Sequence, residues 1–180
     1  MILGNRVRLR AIERGDLPHF VTWLNDPEVR EHLMMVQPLS MVVEEHWFEN
    51  ILAKPRAEHP LVIEVNINND WIMVGNIAFF HTDTRNRCAE VGIVIGDKSY
   101  WNQGIGRDAM SLMVRHGFNS LNLHRIYLSV NANNLRGIKS YENVGFLHEG
   151  KMREAVFQNG RYIDLILMGI LCSEWQDRDV

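Results

Sequence analysis

Cysteine is scarce in this 180-residue chain: Cys88 and Cys172 are the only two. Thiols so few and so far apart have no metal-ligand spacing and exclude a disulfide-stapled scaffold. Both fall in expected strands and read as reduced, buried thiols of a cytoplasmic protein. Long apolar runs are absent as well. No stretch approaches the roughly 20 residues of a membrane span. Met1–Arg6 lacks the apolar core of a signal peptide, so no membrane partner is expected. Charge of one sign is not in excess: 19 basic residues against 22 acidic ones give a net charge of −3. With no basic tail and no run of like charges, nucleic acid is not an expected partner. Linkers, internal repeats and low-complexity segments are missing too, so residues 1–180 read as one domain. The 46% apolar and 23% charged content suits an ordinary globular fold.

What is present is a regular succession of element signals. Arg6–Ala11 alternates polar and apolar, which predicts a strand with Val7, Leu9 and Ala11 on one face. Asp16 suits the N-cap of a helix to Leu24, with Pro18 tolerated in its first turn. Asp26-Pro27 breaks that helix and starts a short second one. Ser40 caps a third, Met41–Ala53. Strands follow at Leu61–Val65, Ile72–Phe80 and Arg87–Ile95, the first two joined by a turn at Asn68–Asp70. Gly104–Gly117 predicts a helix that turns Ile105, Ala109, Leu112, Met113 and His116 to the sheet. Arg125–Val130 is a strand entered from a helix, hence parallel to its neighbour. Asn134 caps a helix to Val144, and Gly145 ends it in a left-handed conformation. A last pair of strands turns at Asn159-Gly160. The order β-α-α-α-β-β-β-α-β-α-β-β gives an α/β (α+β) fold, a mixed seven-stranded sheet flanked by helices.

The segment Ile95–Met110 carries the chemistry. It is a strand end, a loop, a Gly104-x-Gly106 turn and a helix. The first backbone N–H groups of a helix have no partner inside it. Glycines let an anion approach them, and the helix dipole favours negative charge there. The segment therefore reads as a pyrophosphate cradle. Gly104-x-Gly106-x-x-Ala109 matches the dinucleotide fingerprint in form. The glycines stand too far from the strand end, however, and Ile126–Asn131 offers no acidic residue for a ribose. No Gly-Lys-Ser/Thr follows, so a triphosphate P-loop is excluded.

Tyr100-Trp-Asn-Gln-Gly-Ile-Gly-Arg-Asp-Ala109 resembles the coenzyme A loop of the GCN5-related N-acetyltransferase (GNAT) superfamily, Gln/Arg-x-x-Gly-x-Gly/Ala. Asn134-Leu-Arg-Gly-Ile-Lys-Ser-Tyr-Glu-Asn-Val-Gly-Phe146 is similar to that family's Asn…Tyr-Glu-x-x-Gly-Phe block. Two blocks in the right order are far more specific than either alone. Val7–Val29 is similar to the branch that acetylates ribosomal-protein N-termini, and the tail Glu149–Met168 is shared by that branch and its polyamine-acetylating relatives. One position departs: Trp101 stands where the motif carries Gln or Arg.

The resemblance implies a GNAT fold with splayed central strands holding acetyl-CoA as co-substrate, and no metal. It implies backbone contacts to the pantetheine arm from Ile93, Val94 and Ile95. A backbone N–H near Val94 or Ile95 would stabilise the oxyanion. The pyrophosphate would lie on Asn102, Gln103, Gly104, Ile105, Gly106 and Arg107. Asn134 would cap its helix, contact the cofactor arm, or do both. Gly137 would allow close approach of the cofactor or simply sit on a permissive helix surface. Lys139 would reach the nucleotide end or stand as a solvated charge. Tyr141 would be the general acid for the leaving thiolate. Glu90 is the leading base candidate and His81 the second, each set against a structural role. Glu44, Glu45 and Glu49 would form an acidic face that attracts a cation, or a solvated one. Polyamine enzymes carry aromatic and acidic groups where this chain has the nearly uncharged His32–Pro38. That favours a protein or peptide N-terminal α-amine, or a small amine, as acceptor. A polyamine or an amino sugar is the alternative, and a non-catalytic acyl-CoA sensor the non-enzyme alternative. A homodimer is compatible with the resemblance.

Overall fold

Residues 1–176 are described by the structure, a computed structural model. A short strand β1 (Ile2–Leu3) precedes β2 (Val7–Ala11). Helices α1 (Leu17–Asn25), α2 (Pro27–Arg30) and α3 (Met41–Leu52) follow. A meander of β3 (Leu61–Ile67), β4 (Asp70–Asp83) and β5 (Cys88–Ile95) leads to α4 (Ile105–Asn119). Then come β6 (Arg125–Asn131), α5 (Leu135–Val144), β7 (Leu147–Gln158) and β8 (Arg161–Leu171). The strands form one sheet in the order β1-β2-β3-β4-β5-β6-β8-β7. Every neighbouring pair is antiparallel except β5 and β6, which run parallel as the entry from a helix predicts. The sheet has eight strands, not seven, because β1 pairs Ile2 and Leu3 with Leu9 and Arg8. Two residues carry no period for a sequence pattern to show.

α4 covers one face. Ala109, Met110, Leu112 and Met113 pack in one core with Leu9, Ile77, Phe79 and Ile126. Gly117 brings that helix down on the sheet: a Cβ there would lie 2.8 Å from Ile126 Cδ1 and 2.9 Å from Phe79 Cζ. On the other face α1 and α3 build a smaller core from Leu17, Phe20 and Phe48 against Val62. Val7 and Leu9 are buried as the alternation requires, whereas Ala11 is exposed at the strand end.

Several local expectations are met. Ser40 accepts from Val43 N–H, Asp26 from Glu28 N–H and Asn134 from Gly137 N–H. Asn159 and Gly160 take φ of 51° and 77° in the last turn. Others are corrected by tertiary contacts. Asp16 does not cap α1. It accepts two bonds of 2.8 Å from the Arg10 guanidinium and a third of 2.8 Å from Glu13 N–H. Glu44 is buried, not solvated, and burial raises its pKa. Cys88 is half-buried and Cys172 exposed, so the expected pair of buried thiols is not formed; both are free. Among the described residues no helix is long and apolar enough to cross a membrane.

Candidate active site

β5 and β6 pair only where they begin. Cys88, Ala89 and Glu90 lie opposite Arg125, Ile126 and Tyr127, and the pairing stops there. β5 stays paired with β4 as far as Ile95, and β6 with β8 as far as Asn131. The two strands therefore diverge inside the sheet, each with one edge free of its neighbour. Glycine is required at the divergent end. A Cβ on Gly75 would lie 2.0 Å from the Val94 carbonyl oxygen, and one on Gly96 2.3 Å from the Trp23 ring.

A cavity of ≈530 Å³ opens at this divergence, between β5, the loop before α4, and α5. Ile93 and Ile95 line it from the strand. Val94 does not, because alternation turns its side chain to the opposite face. The Ile95 carbonyl accepts from Trp101 Nε1 at 2.7 Å, which takes one of its two lone pairs. Asn102, Gly104, Ile105, Gly106 and Arg107 line the cavity from the loop and helix start. Gln103 does not; its side chain donates to Ser99 O at 2.6 Å.

Gly104 is left-handed, with φ of 80°, and no side chain among the described residues caps α4. Its first N–H groups are thus open to an anion. Gly106 differs from Gly104. Its φ is not positive, and a Cβ there would meet only Ile95 Cγ1, at an ordinary 3.6 Å. The fold does not demand glycine at 106; close approach of a ligand would. The loop is braced from behind. Arg6 donates to Gln103 O at 3.1 Å and to the buried Asp108, which also accepts from Arg107 at 2.9 Å.

α5 supplies the other wall. Asn134, Gly137, Lys139 and Tyr141 all line the cavity. Gly137 has a reason neither expectation gave: a Cβ would lie 2.7 Å from Asn134 Nδ2, so the glycine makes room for the folded-back capping side chain. Lys139 is exposed and 3.7 Å from Glu142. The Tyr141 ring packs edge-on against Phe146 at 6.1 Å. Burial pushes its phenol up to about 12, so it is protonated at neutral pH.

Glu90 does not line the cavity. Alternation puts it, with Gly92, on the opposite face of β5 from Ile93 and Ile95. There the two base candidates meet: His81 Nδ1 lies 3.1 Å from Glu90 Oε2. Ser129 Oγ donates to the other carboxylate oxygen at 3.3 Å. The strand irregularity between Phe80 and Asp83, with His81 at φ of 50°, turns the imidazole back over β5. Among the described residues no group of His, Cys, Asp and Glu could hold a metal ion.

Sequence reasoning missed Arg136 and gave Trp101 no role. Arg136 sits 3.9 Å above the Trp101 ring, and both line the cavity. A basic residue in the first turn of α5, together with a motif position lacking its usual polar side chain, was the available signal.

A family profile described as Acetyltransferase (GNAT) domain matches residues 6–147. The chain belongs to the GNAT family. It is an N-acetyltransferase, with acetyl-CoA as the acyl donor. The spermidine N(1)-acetyltransferase of Vibrio cholerae serotype O1 is 31% identical over 98% of this chain and 99% of the relative. The putative ribosomal N-acetyltransferase YdaF of Bacillus subtilis is 32% identical, but over only 63% of this chain and 62% of the relative. A crystal structure of the Vibrio cholerae spermidine N-acetyltransferase in complex with CoA and spermine superposes with a TM-score of 0.86. It has 30% identity and covers 94% of this chain and 97% of that one. The ribosomal branch suggested by Val7–Val29 thus has only a partial match, while a spermidine enzyme matches end to end.

Proposed function

We propose that this GNAT enzyme acetylates a primary amine of a small polyamine, with spermidine as the reference acceptor. The observation that carries the reading is the carboxylate of Glu90, paired with His81, on the sheet face opposite the cofactor cavity where β5 and β6 part. An amine arriving on that face meets an anion and a proton acceptor together. The end-to-end likeness to a spermidine acetyltransferase supports the polyamine. It reverses the order drawn from the His32–Pro38 loop. A peptide N-terminal α-amine stays as the second reading on one observation: Met34 and Val36 are 71% and 90% exposed, an apolar surface with no charge for a polycation. A cytoplasmic location and self-association belong to this proposal. The second has support from a dodecameric structure of the Vibrio cholerae relative, 30% identical with a TM-score of 0.78.

In this reading the pyrophosphate rests on the N–H groups at the start of α4, and the pantetheine arm lies along the free edge of β5. Glu90, with His81 leading to solvent, takes the ammonium proton directly or through water. The free amine attacks the thioester carbonyl. The backbone N–H of Ile95, on the free edge of β5, stabilises the oxyanion, a term worth about 3 kcal/mol in other enzymes. Val94, directly opposite Asn76, has its N–H turned to β4. The C–S bond then breaks and Tyr141 gives its proton to the departing thiolate. The extra proton on the acylated nitrogen leaves to solvent as the neutral amide forms. Tyr141 regains a proton from solvent, and the proton on Glu90 passes out through His81, so one proton is released per turnover.

Two results test this proposal. Coenzyme A release should be fastest with spermidine or spermine across a panel that also holds amino sugars and N-terminal peptides. Turnover of peptides with none of polyamines would establish the second reading instead. Glu90→Gln should lower kcat/KM for the amine about 10²-fold or more. Acetyl-CoA affinity should stay within a few-fold, because Glu90 does not line the cavity. An unchanged kcat/KM would move the base to another group.

A further inference from the structure

The departure at Trp101 and the unforeseen position of Arg136 explain each other. The family motif puts Gln or Arg where this chain has Trp101. The indole cannot accept and has a single N–H, which is spent on the Ile95 carbonyl. The loop therefore lacks a side-chain donor at that position. The exposed face of the same indole carries the Arg136 guanidinium, 3.9 Å from the ring centroid.

We infer that Arg136, held on Trp101, is a pyrophosphate-binding residue that supplies from α5 the side-chain donor the loop lacks at position 101. This rests on the acetyl-CoA reading of the cavity. Stacking engages the flat face of a guanidinium and leaves its N–H donors free in the plane, suited to bidentate contact with phosphate oxygens. The other cations lining the cavity are already engaged. Arg107 is bonded to Asp108, and Lys139 stands 3.7 Å from Glu142. Arg136 has no carboxylate partner among the described residues. It lines the same cavity as the uncapped start of α4, so side-chain and backbone donors open onto one space. Anchoring by an aromatic face also fixes a side chain that would otherwise lose rotamer freedom on binding.

The test is calorimetry of wild type and Arg136→Gln with acetyl-CoA and with its 3′-dephospho analogue, which keeps the pyrophosphate. Arg136 is exposed, so the variant should fold with an unchanged melting temperature. Removing a charge-assisted contact should weaken both ligands by about 10- to 100-fold. Arg136→Lys should recover part of the loss. Unchanged affinity in Arg136→Gln would overturn the assignment. A loss confined to acetyl-CoA would also overturn it, since the contact would then be to the 3′-phosphate. Wild type that bound neither ligand would sink the cofactor reading itself, a separate failure.

Discussion

Tyr141→Phe should lower turnover by about 10²-fold or more, the lower end of general-acid contributions. Acetyl-CoA affinity should stay within a few-fold. The phenol hydroxyl matters when the thiolate leaves, so its loss belongs in the rate and not in ground-state binding. The geometry fits that role. Tyr141 lines the cavity, and burial raises its phenol to about 12, so the proton is present when the thiolate needs it. The ring keeps its contact with Phe146, so stability should hardly change. Slow product release would hide part of the effect in steady-state rates, so single-turnover acetyl transfer is the measurement to make. A variant that transfers acetyl at the wild-type single-turnover rate would reduce Tyr141 to a packing residue, with water protonating the thiolate.

Gly106→Val should weaken cofactor binding about 10²-fold or more while sparing the fold. A Cβ at 106 has an ordinary neighbour at 3.6 Å, and Gly106 already has helical backbone in the first turn of α4. Valine is no worse than glycine there by helix propensity. Its methyl groups would fill the space where phosphate oxygens approach the N–H groups. Loss of two charge-assisted hydrogen bonds, each worth about 1.5–3 kcal/mol, weakens acetyl-CoA binding by about 10²-fold or more. Gly104→Val would be a poorer test, because φ of 80° at 104 makes any side chain a strain on the loop itself. Calorimetry with acetyl-CoA and a thermal melt separate the two effects. Wild-type affinity in a folded Gly106→Val would mean that phosphate does not lie on that turn.

The glycine turn at the start of α4, most of the helix caps and the last hairpin were legible because each depends on residues close in sequence. Gly104 and Gly106 at a helix start, Asn134 three residues before the N–H it accepts, and Asn159-Gly160 are local rules written in order. Asp16 shows how such a rule fails: Arg10, on the neighbouring strand, takes the carboxylate the cap would have used. Gly137 on its own suggests close approach of a ligand or a permissive helix surface, whereas in the fold it makes room for Asn134. The pairing of His81 with Glu90 was not legible, although both residues were singled out. It depends on the irregular register between β4 and β5, which no single-strand pattern carries. The stacking of Arg136 on Trp101 joins a helix and a loop from separate motif blocks, each read alone.

At the centre of this account is the claim that two substrates reach one divergence in the sheet from opposite faces. A crystal structure with a bisubstrate analogue, coenzyme A joined through its sulfur and an acetyl bridge to spermidine, tests it most directly. The pyrophosphate should lie on the N–H groups at the start of α4, the sulfur within hydrogen-bond reach of the Tyr141 hydroxyl, and the polyamine should leave past Glu90 and His81. A coenzyme A moiety bound elsewhere, or a polyamine leaving on the same face as the cofactor, would contradict it.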